Sequence, residues 1–114
     1  MAVLELPVTN ETSHYSFQVE LEGTVFFFEF YYNTRSQLWI FDLLDQSELP
    51  ILVGQPVIGG QLLADGFMIE GMPAGKFIAI DTTGADRSPD RQTLGNEVKF
   101  CYIESTTVAE VSNG

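Results

Sequence analysis

Val25-Phe26-Phe27-Phe28-Glu29-Phe30-Tyr31-Tyr32 is the densest apolar run in this chain of 114 residues, and its reading decides the fold. Read as a strand, with side chains alternating between faces, it puts Phe26, Phe28, Phe30 and Tyr32 on one side. Val25, Phe27, Glu29 and Tyr31 fall on the other. β-Branched and aromatic side chains pack well on a pleated surface, so the composition suits a strand. The run is broken by Glu29 and is far too short to cross a bilayer. A strand apolar on both sides is central to its sheet, or has its second face covered by another layer or another chain.

The same period of two extends outward. Upstream, Tyr15, Phe17, Val19 and Leu21 alternate with Ser16, Gln18, Glu20 and Glu22, the pattern of a half-buried strand with one wet face, and Glu22-Gly23 supplies a turn. Downstream, Asn33-Thr34-Arg35-Ser36 is a polar turn. A strand over 38–44 follows, with Trp39, Phe41 and Leu43 on one face and Leu38, Ile40 and Leu44, joined by Asp42, on the other. Residues 45–48 read as a turn, and Pro50 suits the start of a strand that continues through Val53 to Gly54 and Pro56. Only residues 61–65 suit a single helical turn. Strands are expected at 67–70 and 77–81, around a turn at 72–75. Residues 82–96 form a long polar loop containing Gly84, Pro89 and Gly95. Its composition cannot form a core alone and suits ordering on assembly. In the last strand, over 97–104, Val98, Phe100 and Tyr102 alternate with Lys99, Cys101 and Ile103.

Short strands separated by turns at this spacing predict an all-β fold, a single-domain antiparallel β-sandwich or barrel with very little helix. The expected division is one β domain over residues 1–104 and a flexible C-terminal tail over 105–114. The expected core is Phe17, Val19, Leu21, Phe26, Phe28, Phe30, Trp39, Phe41, Leu43, Phe100 and Tyr102.

Composition excludes several classes of function. Sixteen acidic residues stand against five basic ones, for a formal charge of −11. Nucleic acid and anionic membrane surfaces both require cationic groups that this chain lacks. With 45% hydrophobic and 12% aromatic residues, the body of the chain can bury a core and is not disordered. The single cysteine, Cys101, forms no internal disulfide and reads as a small buried side chain. Glu5 and Pro7 interrupt the start and no basic segment precedes it, so no signal peptide is expected, and the domain is expected to be soluble and not secreted.

No constellation of reactive groups stands out. The one histidine, His14, reads as an exposed residue at the end of a strand, and without a second His or Cys a zinc site has no ligands. No Ser, Cys or Thr sits in a nucleophile motif, and Gly59-Gly60 is followed by no Lys-Ser/Thr pair that would make a phosphate loop. Asp81, Asp86 and Asp90 share the long loop and have the right oxygens for calcium. Their spacing fits no calcium loop, and Arg87 and Arg91 are interleaved with them. The expectation is therefore no enzyme and no cofactor or metal. Trp39 invites a sugar-stacking role, but alternation groups it with Phe41 and Leu43 in the core. Surplus aromatic surface marks protein–protein contact. Phe27 and Tyr31 on the second face of the central strand, with Arg87 and Arg91 of the loop, are the candidate interface residues. So acidic a surface favours a basic partner.

One resemblance joins these pieces. Leu4-Glu5-Leu6-Pro7-Val8, then Ser16-Phe17-Gln18-Val19-Glu20-Leu21 with Gly23 after it, and Tyr32-Asn33 a short step before Trp39 stand in a recognisable order. Phe41-Asp42-Leu43-Leu44, Gly54-Gln55-Pro56-Val57-Ile58-Gly59-Gly60-Gln61-Leu62-Leu63, Leu94-Gly95 and Val98-Lys99-Phe100-Cys101-Tyr102 complete it. Over residues 4–103 the chain resembles the baseplate plug family of contractile-tailed phages, including cyanophages. It departs from that pattern in the long 82–96 stretch, where a compact turn is expected. The resemblance implies a virion structural protein, made in the host cytoplasm and built into the centre of the tail baseplate. It implies contacts with hub and tail tube proteins, several copies around the tail axis with a trimer as the simplest arrangement, and no catalytic residues. The alternative is a ligand- or carbohydrate-binding β-sandwich module, with Trp39 or Tyr31 as a stacking platform and the loop acids holding calcium.

Overall fold

Two four-stranded antiparallel sheets face each other across a core of aromatic rings. The computed structural model describes residues 3–60, 62–63, 71, 73 and 75–104. In chain order the strands are β1 (Val3–Glu5), β2 (His14–Leu21), β3 (Thr24–Asn33), β4 (Leu38–Leu44), β5 (Pro50–Pro56), β6 (Leu62–Leu63), β7 (Lys76–Asp81) and β8 (Val98–Ile103). No helix occurs among the described residues. The architecture is a sandwich, not a barrel: β2-β3-β4-β5 form one sheet and β1-β8-β7-β6 the other.

The first sheet is a meander whose turns follow from local chemistry. Glu22 and Gly23 both take positive φ, 52° and 86°, and make the two-residue turn whose twist matches the flanking strands. Asn33 Oδ1 accepts the N–H groups of Arg35 and Ser36, and Asp45 Oδ1 accepts those of Ser47 and Leu49. The register shifts between Phe41 and Leu43, where Asp42 accepts the Gly54 N–H at 2.8 Å. The second sheet is not local. Residues 3–5 pair with 101–103, and Leu6 extends that pairing by donating its N–H to the Phe100 carbonyl.

Burial follows the period of two. Phe28, Phe30, Trp39, Phe41, Phe100 and Tyr102 have no exposed surface, and Leu21, Phe26 and Leu43 are buried beside them. Within a sheet the rings stack: Phe17 on Phe28 at 13°, Phe30 on Phe41 at 20° and Phe77 on Phe100 at 11°. Between the sheets they meet edge to face, with Phe30 and Phe100 centroids 5.1 Å apart at 82°.

Several expectations need revision. Phe17 and Val19 are half-buried, because β2 is the edge of its sheet and no strand among the described residues lies on their outer flank. Leu62–Leu63 pairs with β7 as a strand, where a helical turn was expected over 61–65. The other residues of that piece, the strand expected at 67–70, Met72 and Ala74 of the 72–75 turn and the tail at 105–114 lie outside the described residues. Strand β1 was not anticipated, since three residues are too few to show a period.

Replacing Phe100 by alanine removes a ring that touches four others of the core. The expected cost is about 3–5 kcal/mol of unfolding free energy, measured by urea denaturation. Val53→Ala, at a residue 62% exposed, is expected to change stability by no more than about 0.5 kcal/mol.

Candidate functional site

The outward face of the meander sheet is ordered in rows by the strand register. One row runs His14–Tyr31–Ile40–Pro56, the next Ser16–Glu29–Asp42, and the third Gln18–Phe27–Leu44 with Pro50 beyond it. Two apolar rows therefore flank an acidic one. Phe27 and Tyr31, both half-buried, stand one in each apolar row.

The acidic row places Glu29 and Asp42 directly opposite each other, and like charges in that position repel. Each carboxylate has a local partner. Glu29 meets His14 Nε2 at 2.7 Å, and Asp42 accepts the Gly54 N–H and, at 3.3 Å, the Tyr31 hydroxyl. Partial burial raises the Tyr31 pKa, with the Asp42 and then the Glu29 charge adding to it, so the phenol keeps its proton as a donor. The His14 ring meets Tyr31 edge-on with centroids 5.9 Å apart.

The two arginines stand elsewhere. The Arg87 side chain donates from Nε to Asp81 at 2.8 Å and from Nη2 to Glu97 at 2.6 Å. Asp81, whose side chain is shielded from solvent, also accepts from the main-chain N–H groups of Thr83 and Arg87 and the Thr83 hydroxyl. These bonds, Arg87 foremost, hold the Asp81 carboxyl well below the usual carboxylate range. Arg91 lies 5.7 Å from the Trp39 ring centroid and donates to the Asn10 carbonyl. Trp39 faces inward, so Arg91 and the Phe27–Tyr31 face lie on opposite sides of the sheet.

The 82–96 loop, whose composition suits ordering on assembly, is fastened to the sandwich within the single chain. Pro89 and Leu94 are buried, the Trp39 indole N–H donates to the Asp90 carbonyl at 2.7 Å, and Ser88 Oγ accepts the Gly59 N–H. The loop passes so close that a Cβ on Gly59 would come within 2.1 Å of the Arg87 carbonyl oxygen. That contact is the reason for glycine there. The polar composition of the loop hid these anchors; the positions of Pro89 and Leu94 were the readable signal.

Trp39 has no exposed ring face, so the carbohydrate-stacking alternative loses its main residue. Of the loop acids proposed for calcium, Asp81 is taken up by Arg87 and Thr83, and Asp90 bonds back to Gln92 and Thr93. Among the described residues no group of three or more His, Cys, Asp or Glu could hold a metal. Burial, followed by the Glu5 charge, raises the Cys101 thiol pKa, opposite to what a nucleophile needs. A hollow of about 250 Å3 lies between residues 8–11 and 94–96 with Glu11 as its one titratable group. A second outward surface went unrecognised in the sequence. On β6, β7 and β8, Leu62, Ile78, Ile80, Cys101 and Ile103 face away from the core, and Ile80 is 41% exposed. The alternation of residues 77–81 carried that signal.

The outward face of this sandwich's meander sheet is thus banded apolar and acidic. The family model described as "Cyanophage baseplate Pam3 plug gp18" matches residues 3–106, and the chain belongs to this family. It is thus a structural protein of the virion tail baseplate, where it interacts with other baseplate components. No curated protein matches the chain.

Two measurements follow from this geometry. Trp39, the one tryptophan, is expected to emit at the blue end of its range and to resist iodide quenching. Because the folded Asp81 pKa is depressed, its stabilising effect is complete above the unfolded value of about 4 and is lost as pH falls towards the lower folded value. Asp81→Asn is therefore expected to be less stable than wild type at neutral pH. The gap should narrow on acidification from about pH 5 to about pH 2, as read by urea unfolding at each pH.

Proposed function

We propose that the protein is a plug subunit at the centre of the baseplate that contacts the hub and the tail tube through protein–protein interfaces. The outward face of the meander sheet is the surface that meets them. The observation carrying this reading is the order of its rows, with Tyr31 and Ile40 on one side of Glu29 and Asp42, and Phe27 and Leu44 on the other. A complementary partner presents apolar side chains on both sides of a lysine or arginine. The cation neutralises two carboxylates that otherwise repel, and the apolar rows exclude water around it. The net charge of −11 steers such a partner at long range and makes encounter faster at low salt.

The test is association of the purified chain with the hub and tail tube proteins, followed by light scattering. Wild type is expected to form a complex at micromolar concentration, with an association rate that falls as salt is added. Phe27→Lys is expected to abolish the complex while leaving thermal unfolding within a few degrees of wild type. Wild-type binding to neither protein would falsify the reading, and full binding by Phe27→Lys would remove this face from it.

A further inference from the structure

Four strands form the sheet edges among the described residues, and natural proteins protect such edges by shortness, bulges or proline. Three are protected in this way. β1 has three residues and β6 two, while β5 has register shifts, Gly54, Pro50 and Pro56. β2 has none of these defences. It runs for eight residues in unbroken register with β3, without proline, glycine or bulge.

The direction of its main-chain groups follows from the turn. A two-residue turn makes Leu21 and Thr24 exchange both hydrogen bonds, and the same holds at every second residue, Val19, Phe17 and Tyr15. Ser13 continues the series, its carbonyl accepting the Tyr32 N–H at 2.9 Å. The N–H and C=O groups of Ser16, Gln18 and Glu20 therefore point away from β3. These residues are exposed, and no described residue hydrogen-bonds their main chain on that side. On the inner face Tyr15, Phe17 and Val19 stay half-buried, with the Phe17 ring stacked on Phe28 and Phe30.

We propose that a second copy of this chain adds its own β2 antiparallel to this edge, joining the two meander sheets into one continuous sheet about a twofold axis at Phe17. The outward-pointing groups must face each other, which limits the register to steps of two residues. In the centred register Phe17 faces Phe17 of the second copy, Tyr15 faces Val19 and Ser16 faces Gln18. His14 faces Glu20, so the imidazole that meets Glu29 in its own copy receives a second carboxylate across the axis. A step one way brings the Glu22-Gly23 turn into the pairing, and a step the other way leaves Glu20 without a strand residue opposite. The centred register thus covers the half-buried row, satisfies the open main chain and sets an imidazole against a carboxylate at both ends. The contact is isologous and closes at two copies. It leaves the Phe27–Tyr31 face open and does not depend on which baseplate protein that face meets.

The experiment is the mass of the purified full-length chain by light scattering across concentration, in salt strong enough to screen the −11 charge on each copy. Wild type is expected as a dimer dissociating on dilution. Gln18→Pro removes an outward N–H that β3 does not use, and is expected to be monomeric and folded, with a thermal midpoint that, unlike that of wild type, does not rise with concentration. Glu20→Lys, which replaces both symmetry-related attractions, is expected to weaken dimerisation roughly tenfold or more, and it decides the matter alone should Gln18→Pro fail to fold. A wild-type chain that stays monomeric into the millimolar range overturns the proposal. So does a trimeric mass, or a dimer that folded Gln18→Pro and Glu20→Lys both leave intact.

Discussion

The rings of Phe28, Phe30 and Phe41 on one sheet meet those of Phe77 and Phe100 on the other edge to face, at angles between 61° and 82°. The positive ring edge against the negative ring face gives these pairs a directional preference beyond the area they bury. These contacts hold the inner faces of β3, β4, β7 and β8 in one phase. A slip of one residue in β3 would turn Phe26, Phe28 and Phe30 outward and bring Glu29 into the core. With the phase fixed by the inner rings, the outer residues are free to serve another purpose. The banding of Phe27, Glu29 and Tyr31 is possible because β3 does not need them for its own packing.

Charge is managed separately from the core. The Asp81 side chain lies shielded at the end of β7, and breaking its link to Arg87 would leave a desolvated carboxylate with only Thr83 and main-chain donors. Arg91 over Trp39 and the indole bond to Asp90 do the equivalent work at the other end of the loop. Two of the five cations are thus used to fasten a polar segment that contributes only Pro89 and Leu94 to the interior. In the sequence both arginines stood as candidate interface residues and as partners for the acids of their own loop, and Arg87 is paired with Asp81 and Glu97.

How much was legible depended on whether a signal was local. Alternation in residues 15–21, 25–32 and 38–44 gave three strands, their turns and the inward rings, because period and turn chemistry are written in neighbouring residues. The half-burial of Phe17 and Val19 was not legible, since nothing in their own pattern says that β2 is an edge. Strand β1 was invisible because Val3–Glu5 owes its conformation to β8, about a hundred residues away. The Phe27–Tyr31 face was suggested by a strand apolar on both sides. Its division by Glu29 and Asp42 needed the β3–β4 register, which no single strand encodes. The anchoring of the loop was hidden for a related reason: hydrogen bonds such as that from the Trp39 indole to the Asp90 carbonyl join residues far apart in sequence, and composition carries no trace of them.

The pairing of β1 with β8 also orders events in time. The meander from β2 to β5 closes through turns of a few residues, so its pairing involves short loops and is fast. The opposing sheet needs residues 3–5 and 98–103 together and forms only when nearly the whole described chain is available. Until then the inner rings of β3 and β4 lack the Phe77 and Phe100 edges that cover them. A chain that lacks β8 therefore lacks both the partner of β1 and the Phe100 ring that meets Phe28, Phe30 and Phe41, so the last strand is what closes the core.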